Sequence, residues 1–406
     1  MPSFISWIDH DSKARESMLQ LMALFQAKES RDELGLGAIR DSFSDQLFPG
    51  TSTIQTRLRY MLFVPWIYQG LENKRTPANI FAVQADKLER ALVQPLIDSE
   101  DNSGVFGKTA GKRLKRLPSS VYWSGLGAWG IRLMDLSQSE YHLQINDTYR
   151  NLDRIKRNES CHKSRGDDAD FDHRKSAANW HPKLPAMPVG FPEHVELKLT
   201  KDESAFFQEC IKQRYPQSLL AFLVFNAKPA VTDFPWQHPD YRWFSDTQKN
   251  LLKHARLFSD VMHGAALSYN FQLSQRSNKK DLIKHYEDCF DEWQKNLNVE
   301  EIKAWSLQQL WQLTNIQGHI ISEPTRTFVQ RWVELVRLSA KGLLRHEEGR
   351  LLIEHREIKL KGARSRFKNE TALAQWGGSS GVDRLNYRWP NVKVLLDDLN
   401  QGLGQK

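Results

Sequence analysis

Apolar residues recur at helical spacing along the N-terminal part of the chain. Met18, Leu21, Met22 and Phe25 stand one to four residues apart, with the i, i+3, i+4, i+7 pattern that predicts an amphipathic helix over residues 12–28. Similar patterns predict three further helices in this part: 36–47, Thr51 to about Leu71 with an interruption at Pro65, and Thr76 to about Leu92.

Helical patterns also dominate the C-terminal half. Thr200 and Glu203 form a T-x-x-E capping box, which predicts a helix start. Longer helices are predicted over 246–274, 280–296, 299–314 and 323–343. The strand candidates are His194–Leu199, 218–225 and Leu351–Leu360. The predicted fold is therefore mainly α and multi-helical, with a few short strands.

A polar stretch with spaced prolines divides the pattern. Residues 158–192 lack apolar periodicity and carry Pro182, Pro185, Pro188 and Pro192. Such a composition is typical of a linker or a long surface loop. We expect an N-terminal helical domain over 1–157, this linker over 158–192, and a C-terminal helical domain over 193–406.

The composition of the chain indicates what class of protein it is and which partners it favours. The chain has 406 residues, of which 40% are hydrophobic and 26% charged, values typical of a globular protein. Its formal net charge of +8 favours polyanionic partners, because Lys and Arg that neutralise phosphates release counterions. The three cysteines form no CxxC pair, which argues against a disulfide framework and a structural zinc site. We recognise no signal peptide, and no apolar run approaches the roughly 20 residues that a membrane span needs. We therefore expect a cytoplasmic protein that does not associate with a membrane.

The stretch from 31 to 68 contains the first candidate site. Asp41 and Asp45 are four residues apart and therefore share a helix face. Like charges at this spacing need compensation, and Arg57 and Arg59 are the expected partners. Thr51, Ser52 and Thr53 follow a glycine at a predicted helix start, where free N–H groups bind phosphate. Tyr60, Trp66 and Tyr68 could stack on a base. The alternative is a structural ion-pair network with core aromatics.

Residues 117–133, LPSSVYWSGLGAWGIRL, form the second block. Gly125, Gly127 and Gly130 alternate with aromatic residues that include Tyr122 and Trp123. A glycine-bearing turn can bring backbone N–H groups to DNA phosphate. Glycine also simply permits close helix packing, and both interpretations remain open.

The third block is basic and lies near the C-terminus. Residues 356–393 hold nine basic and three acidic side chains, interleaved with aromatics and a glycine-rich turn. This composition is typical of a groove that follows a nucleic-acid backbone, although it also fits a solvated surface. The candidate contacts are Lys359, Lys361, Arg364, Arg366, Arg384 and Arg388.

Two weaker patterns concern metals. Glu196-Leu197-Lys198, with Asp170 and Asp172 upstream, fits the loose acidic spacing of metal-dependent nucleases. Four other residues could in principle hold a metal: Cys161, His162, Asp172 and His173. The sequence has no P-loop, G-x-G-x-x-G, HExxH or GxSxG motif. We therefore expect neither a metal nor an organic cofactor.

Several of these blocks together resemble a known bacterial family. The opening SWIDHDS, the block RDELGLGAIRDSFSDQLFPGTSTIQTRLRYMLFVPWIY, the run SSVYWSGLGAWGI and the ending LKGARSRF, WGGSSG and LNYRWP resemble DUF6361 over essentially the whole chain. The resemblance implies a component of anti-phage defence, with neighbouring defence proteins as candidate partners. The family is also similar to phage-defence DNA glycosylases that excise glucosylated hydroxymethylcytosine.

This resemblance and the blocks above lead to one functional hypothesis and two rivals. The hypothesis is a DNA glycosylase that excises a modified base from phage DNA. Asp41 would be the first catalytic carboxylate and Asp45 the second, with Tyr60, Trp66, Tyr122 and Trp123 lining the base pocket. The chain lacks the helix-hairpin-helix with a following catalytic Asp that is usual in glycosylases. The rivals are a non-catalytic nucleic-acid-binding subunit and a metal-dependent nuclease.

Overall fold

The structure is a computed structural model that describes residues 32–111, 114–162, 179–226, 231–315 and 319–404. The predicted helix over 12–28 lies outside the described residues. The N-terminal helices are α1 Gly37–Leu47, α2 Tyr60–Asn73, α3 Ala78–Ala91, α4 Val93–Asp98, α5 Pro118–Ala128 and α6 Gln138–His162. The helices that follow are α7 Lys201–Arg214, α8 Leu219–Asn226, α9 Asp246–Arg276, α10 Lys280–Asn296, α11 Val299–Lys303, α12 Leu307–Thr314, α13 Glu323–Ser339, α14 Glu347–Lys361, α15 Glu370–Ala374 and α16 Trp389–Gly402.

The mainly helical fold class is confirmed, whereas the predicted strands are not found. Residues 218–225 lie almost entirely within α8 and Leu351–Leu360 lies within α14. His194–Leu199 is irregular, and the described ranges contain no β-strand, only an isolated bridge between Arg132 and Trp180. Short apolar runs do not distinguish a buried strand from a buried helix, which explains the error for 218–225.

Contacts divide the chain into two compact units. Unit 1 takes its described residues from 32–43 and Asn250–Tyr387, and unit 2 contains Ser44–Lys249 and Arg388–Lys406. The proposed linker over 158–192 falls within unit 2, and its residues 163–178 lie outside the described part of the chain. The three-part division at 157 and 193 therefore stays a prediction.

Unit 1 is organised around the long helix α9. Three aromatic side chains from other elements donate hydrogen bonds to its backbone carbonyls: Trp293 to Asp260 (2.7 Å), Trp332 to Val261 (2.9 Å) and Tyr387 to Ala255 (2.6 Å). Gly264 permits the closest approach, since a Cβ there would lie 2.3 Å from the Trp293 ring. The N–H and O–H groups of these large rings are thus satisfied inside the core.

Unit 2 contains two packed groups of helices. In one, α2 packs against α3 and α5, and α3 packs against α6; in the other, α7, α8 and α16 pack together. The capping box is confirmed, since Thr200 accepts from the Glu203 backbone and Glu203 accepts from the Thr200 backbone. Glu203 also pairs with Arg59 at 2.8 Å, which connects α7 to the residue before α2.

A buried ion pair fixes the C-terminal helix α16 to the segment before α2. The Asp398 carboxylate accepts from Arg57 Nε at 2.9 Å, lies 2.8 Å from Arg57 Nη2, and accepts from the Leu58 backbone N–H at 2.7 Å. Both side chains are buried. A buried pair with satisfied hydrogen bonds is costly to break, because the remaining charge keeps its desolvation penalty.

Arg57 keeps its second pair, with Asp101 at 2.7 Å, when Asp398 is neutralised. We therefore expect Asp398→Asn to lower the free energy of unfolding by about 1–3 kcal/mol, less than for a buried charge that is left with no partner. Urea denaturation would measure the loss. The neighbouring Asp397→Asn is the matched control, because Asp397 is exposed and should change stability by less than about 0.5 kcal/mol. Equal effects of the two substitutions would contradict a structural role for the Arg57 pair.

Candidate active site

The predicted glycine-led phosphate site at Thr51–Thr53 does not form a helix start. Residues 51–59 are irregular and α2 begins only at Tyr60. The reason is that side chains take the backbone donors before α2: Tyr122 Oη accepts from the N–H groups of Thr56 (3.0 Å) and Arg57 (3.1 Å), and Asp398 accepts from that of Leu58. A helix through these residues would need the same donors for its own carbonyls.

The two predicted catalytic aspartates have partners other than those expected. Asp41 accepts from Arg40 Nη2 at 3.0 Å, and Asp45 accepts from Arg388 Nη1 at 2.5 Å. Arg57 instead pairs with Asp398, and Arg59 with Glu203. The predicted pairing of the aspartates with Arg57 or Arg59 is therefore wrong, while their role in chemistry stays a prediction.

The predicted base-pocket aromatics lie in the core of unit 2. Tyr60, Trp66, Tyr122 and Trp123 are all buried. Their polar atoms are satisfied internally: Tyr60 Oη accepts from the Phe106 N–H, and Trp66 donates to the Pro185 carbonyl. Of the four, only Trp123 also belongs to the aromatic cluster around Glu72.

The predicted basic block near the C-terminus is largely occupied by ion pairs. In unit 1, Glu33 pairs with Lys361 and with Arg366, and Arg384 pairs with Asp260. In unit 2, Arg388 pairs with Asp45. Lys359 and Arg364 are exposed. Neutralised cations attract phosphate weakly, so Lys359 and Arg364 are the better remaining candidates for backbone contacts in this block.

A carboxylate that the sequence did not single out occupies the most elaborate polar site of unit 2. Glu72, near the end of α2, is half-buried. Its Oε1 accepts from Tyr141 Oη, from Asn179 Nδ2 at 3.0 Å and from Trp180 Nε1 at 2.8 Å. Its Oε2 has no hydrogen bond from any described residue. One oxygen is thus held in place while the other remains available.

Four aromatic rings stand beside this carboxylate. Tyr68, Trp123, Tyr141 and Trp180 form a cluster in which every pair of ring centroids lies 5.4–6.3 Å apart. Tyr68 and Glu72 are one turn apart on α2 and share a face. The surrounding rings exclude water, and this burial raises the pKa of Glu72 despite the three donors.

Arg132 lies at the edge of the same cluster. Its guanidinium stands 5.1 Å from the centroid of the Trp123 ring, and its Nε and Nη1 are buried without a hydrogen-bond partner among the described residues. In the same part of the chain, Asn179 Oδ1 is also buried without one. Burial lowers the pKa of Arg132. Unsatisfied buried donors of this kind are rare in folded proteins and often mark functional sites.

Local backbone geometry explains why these groups meet. The segment around Arg132 pairs with residues 179–181: Leu133 N–H donates to the Asn179 carbonyl at 2.9 Å, and His181 N–H donates to the Ile131 carbonyl at 2.8 Å. Gly127 admits the guanidinium, since a Cβ there would lie 2.4 Å from Arg132 Nη2. Gly127 therefore allows the Arg132 side chain to approach the backbone of α5 closely.

Another carboxylate, that of Glu89 on α3, is buried and connected to the aromatic cluster by hydrogen bonds. Its Oε2 accepts from the Ser119 N–H at 2.8 Å, at the N-terminus of α5, and its Oε1 is buried with no hydrogen-bond partner in the described ranges. Gln138 Nε2 donates to Ser119 Oγ and to Tyr68 Oη, each at 2.8 Å, which links Glu89 to the ring cluster. Burial raises the pKa of Glu89 to about 7.

This pKa predicts that stability falls as pH rises. Because the folded chain binds the Glu89 proton more tightly than the unfolded chain, the free energy of unfolding should decrease from about pH 4.5 to 7, by about 3 kcal/mol in all. In Glu89→Gln this part of the pH dependence should disappear, and the variant should be the more stable protein at pH 8. Thermal unfolding across this range measures it, and parallel profiles for both proteins would contradict a neutral Glu89.

Unit 2 therefore contains a half-buried carboxylate lined by aromatic rings, within a mainly helical protein. Arg132 lies against one ring of the same cluster, and its Nε and Nη1 have no hydrogen-bond partner among the described residues. The chain belongs to DUF6361, a family of unknown function, whose matches cover residues 2–156 and 150–402. No curated protein and no solved structure matches the chain.

Two further findings concern membranes and metals. No helix in the described ranges is long and apolar enough to cross a membrane. Among the same residues, no three His, Cys, Asp or Glu side chains are grouped as metal ligands. Asp170, Asp172 and His173 lie outside them, and the side chains of Cys161 and His162 are not described. Glu196 of the E-x-K pattern is exposed, 4.0 Å from Arg59.

Proposed function

We propose that this chain is a DNA glycosylase that removes a modified base from phage DNA, with Glu72 as its catalytic carboxylate. The observation that carries the proposal is the Glu72 site: three donors hold one carboxylate oxygen, and the other has no hydrogen bond from any described residue. Four aromatic rings stand beside it, and Arg132, whose Nε and Nη1 have no partner among the described residues, lies against one of these rings. Perturbed carboxylates in such surroundings are typical of catalytic groups.

The reaction needs what these groups provide. In base excision, water adds to C1′ of the deoxyribose while the N-glycosidic bond breaks and the base leaves with the bonding electrons. Glu72 Oε2 would accept the proton of the attacking water, and its negative charge would stabilise the oxocarbenium-like sugar. The raised pKa of Glu72 makes it a stronger base than an exposed glutamate.

The neighbouring side chains would hold the nucleotide. The base has to leave the duplex stack, and aromatic faces replace the lost stacking. Trp123 and Trp180 are buried against each other, so these rings would have to separate to admit the base. Arg132 would donate to a phosphate or sugar oxygen with the N–H groups that lack partners. The glucosylated hydroxymethylcytosine implied by the resemblance to phage-defence glycosylases is the modified base to test first.

The test is base excision by the purified chain and by Glu72→Gln, using DNA with glucosylated hydroxymethylcytosine and unmodified DNA, in EDTA. Wild type should leave abasic sites in the modified DNA, detected as alkali-labile breaks. Glu72→Gln should lower the rate by about a hundredfold or more, because a general base of this kind contributes that much, while DNA affinity and melting temperature stay near those of wild type.

Matched variants separate this proposal from its rivals. Asp41→Asn and Asp45→Asn should retain excision, and loss of excision only in Asp41→Asn would move the catalytic role to α1. Glu196→Gln tests the E-x-K pattern, since breaks that need a divalent metal and vanish in this variant would indicate a nuclease. A wild-type protein that shifts DNA without making abasic sites would be a binding subunit and would overturn the proposal.

A further inference from the structure

A second surface of unit 2 is a groove with exposed aromatic rings. The groove runs between the C-terminal end of α8 and the residues that precede α9. Phe225 and Trp243 line it, and both are exposed, with 42% and 64% of their surface accessible. Single exposed apolar residues are common, whereas two large exposed rings on one groove indicate an interaction surface.

A cationic side chain lies over each of these two rings. The Arg242 guanidinium stands 4.8 Å from the centroid of the Trp243 ring, and Lys212 Nζ stands 5.2 Å from that of Phe225. Among the described residues that line the groove, Lys212 is the only charged one and none is a carboxylate. The groove therefore combines flat apolar faces with positive charge, which suits a ligand made of rings and anions.

Amide side chains provide polar contacts at the same place. Gln217 and Asn226 are exposed on the rim of the groove. Asn226 Nδ2 donates to the Phe222 carbonyl at 3.3 Å, and this bond holds Oδ1 of the same amide as an acceptor on the rim. This oxygen and the Gln217 amide can form hydrogen bonds with the edges of nucleobases. A purely apolar protein anchor would make no use of these polar groups or of the two cations.

The groove is held rigid from beneath. Gln248 Nε2 donates to the carbonyls of Gln217 and Ser218, each at 3.1 Å, while its Oε1 accepts from the Ser245 N–H at 3.0 Å. Lys249 Nζ donates to the Arg242 carbonyl at 2.9 Å. These bonds connect the two sides of the groove. Its residues are therefore already ordered before a ligand binds, and binding costs little conformational entropy.

We propose that this groove binds single-stranded DNA, with unpaired bases stacked on Trp243 and Phe225 and phosphates near Lys212 and Arg242. Bases in a duplex are stacked on each other and cannot reach these rings, so the surface selects single strands. The proposal does not depend on base excision, because stacking on these rings requires neither the modified base nor Glu72.

The test uses the full chain and unmodified oligothymidylate of about 12 nucleotides, within the usual site size of single-strand binders. Fluorescence anisotropy of the labelled strand should show binding that is weaker in Trp243→Ala by roughly tenfold or more, as expected from the loss of one stacked base. Trp243→Phe should retain most of the affinity. Binding to a hairpin duplex should be the same in all three proteins.

Two controls keep the result interpretable. Trp311→Ala removes a half-buried tryptophan of unit 1 that lies 5.8 Å from Arg326, and it should leave the affinity unchanged. In Trp243→Phe, which folds with an intact groove, the quenching of tryptophan fluorescence by the oligonucleotide should decrease although binding persists. Unchanged affinity in Trp243→Ala, or unchanged quenching in Trp243→Phe, would overturn the proposal whatever the outcome for base excision.

Discussion

The ion pair between Arg57 and Asp398 is the constraint on which unit 2 depends. It joins residues 341 positions apart, and it buries both charges with their hydrogen bonds satisfied. Asp398 also takes the Leu58 N–H, so the same carboxylate keeps the segment before α2 irregular and sets where that helix begins. The C-terminal helix is thereby part of the framework that positions the N-terminal helices.

The position of α2 in turn determines the candidate active site. Tyr68 and Glu72 share one face of this helix, and that face meets Trp123 of α5, Tyr141 of α6 and Trp180. The site lies on helices and on a paired segment rather than on a free loop. Rigid support of this kind is what a catalytic carboxylate needs, because misplacement by about 1 Å costs much of the rate.

The two proposals assign different tasks to different surfaces of unit 2. The Glu72 cluster has buried, perturbed polar groups, which suit chemistry on one nucleotide. The groove at Trp243 has exposed rings and no carboxylate among its described lining residues, which suits binding along a strand. Both proposals are compatible with the net positive charge of the chain, although that charge alone did not indicate a particular surface.

Local chemistry in the sequence determined several of the helices. Helices α1, α9, α10 and α13 and the Thr200–Glu203 capping box follow from apolar spacing and end residues, which act over a few positions. The single helix predicted over 299–314 is instead two helices, α11 and α12, and Ser306 caps the second by accepting from the Gln309 N–H at 3.3 Å. Only the tertiary structure decided the start of α2 at Tyr60, the helical state of 218–225 and the Glu72 site. The donors to Glu72 come from residues 69, 107 and 108 positions away, and hydrogen bonds over such separations leave no periodic signal in a sequence.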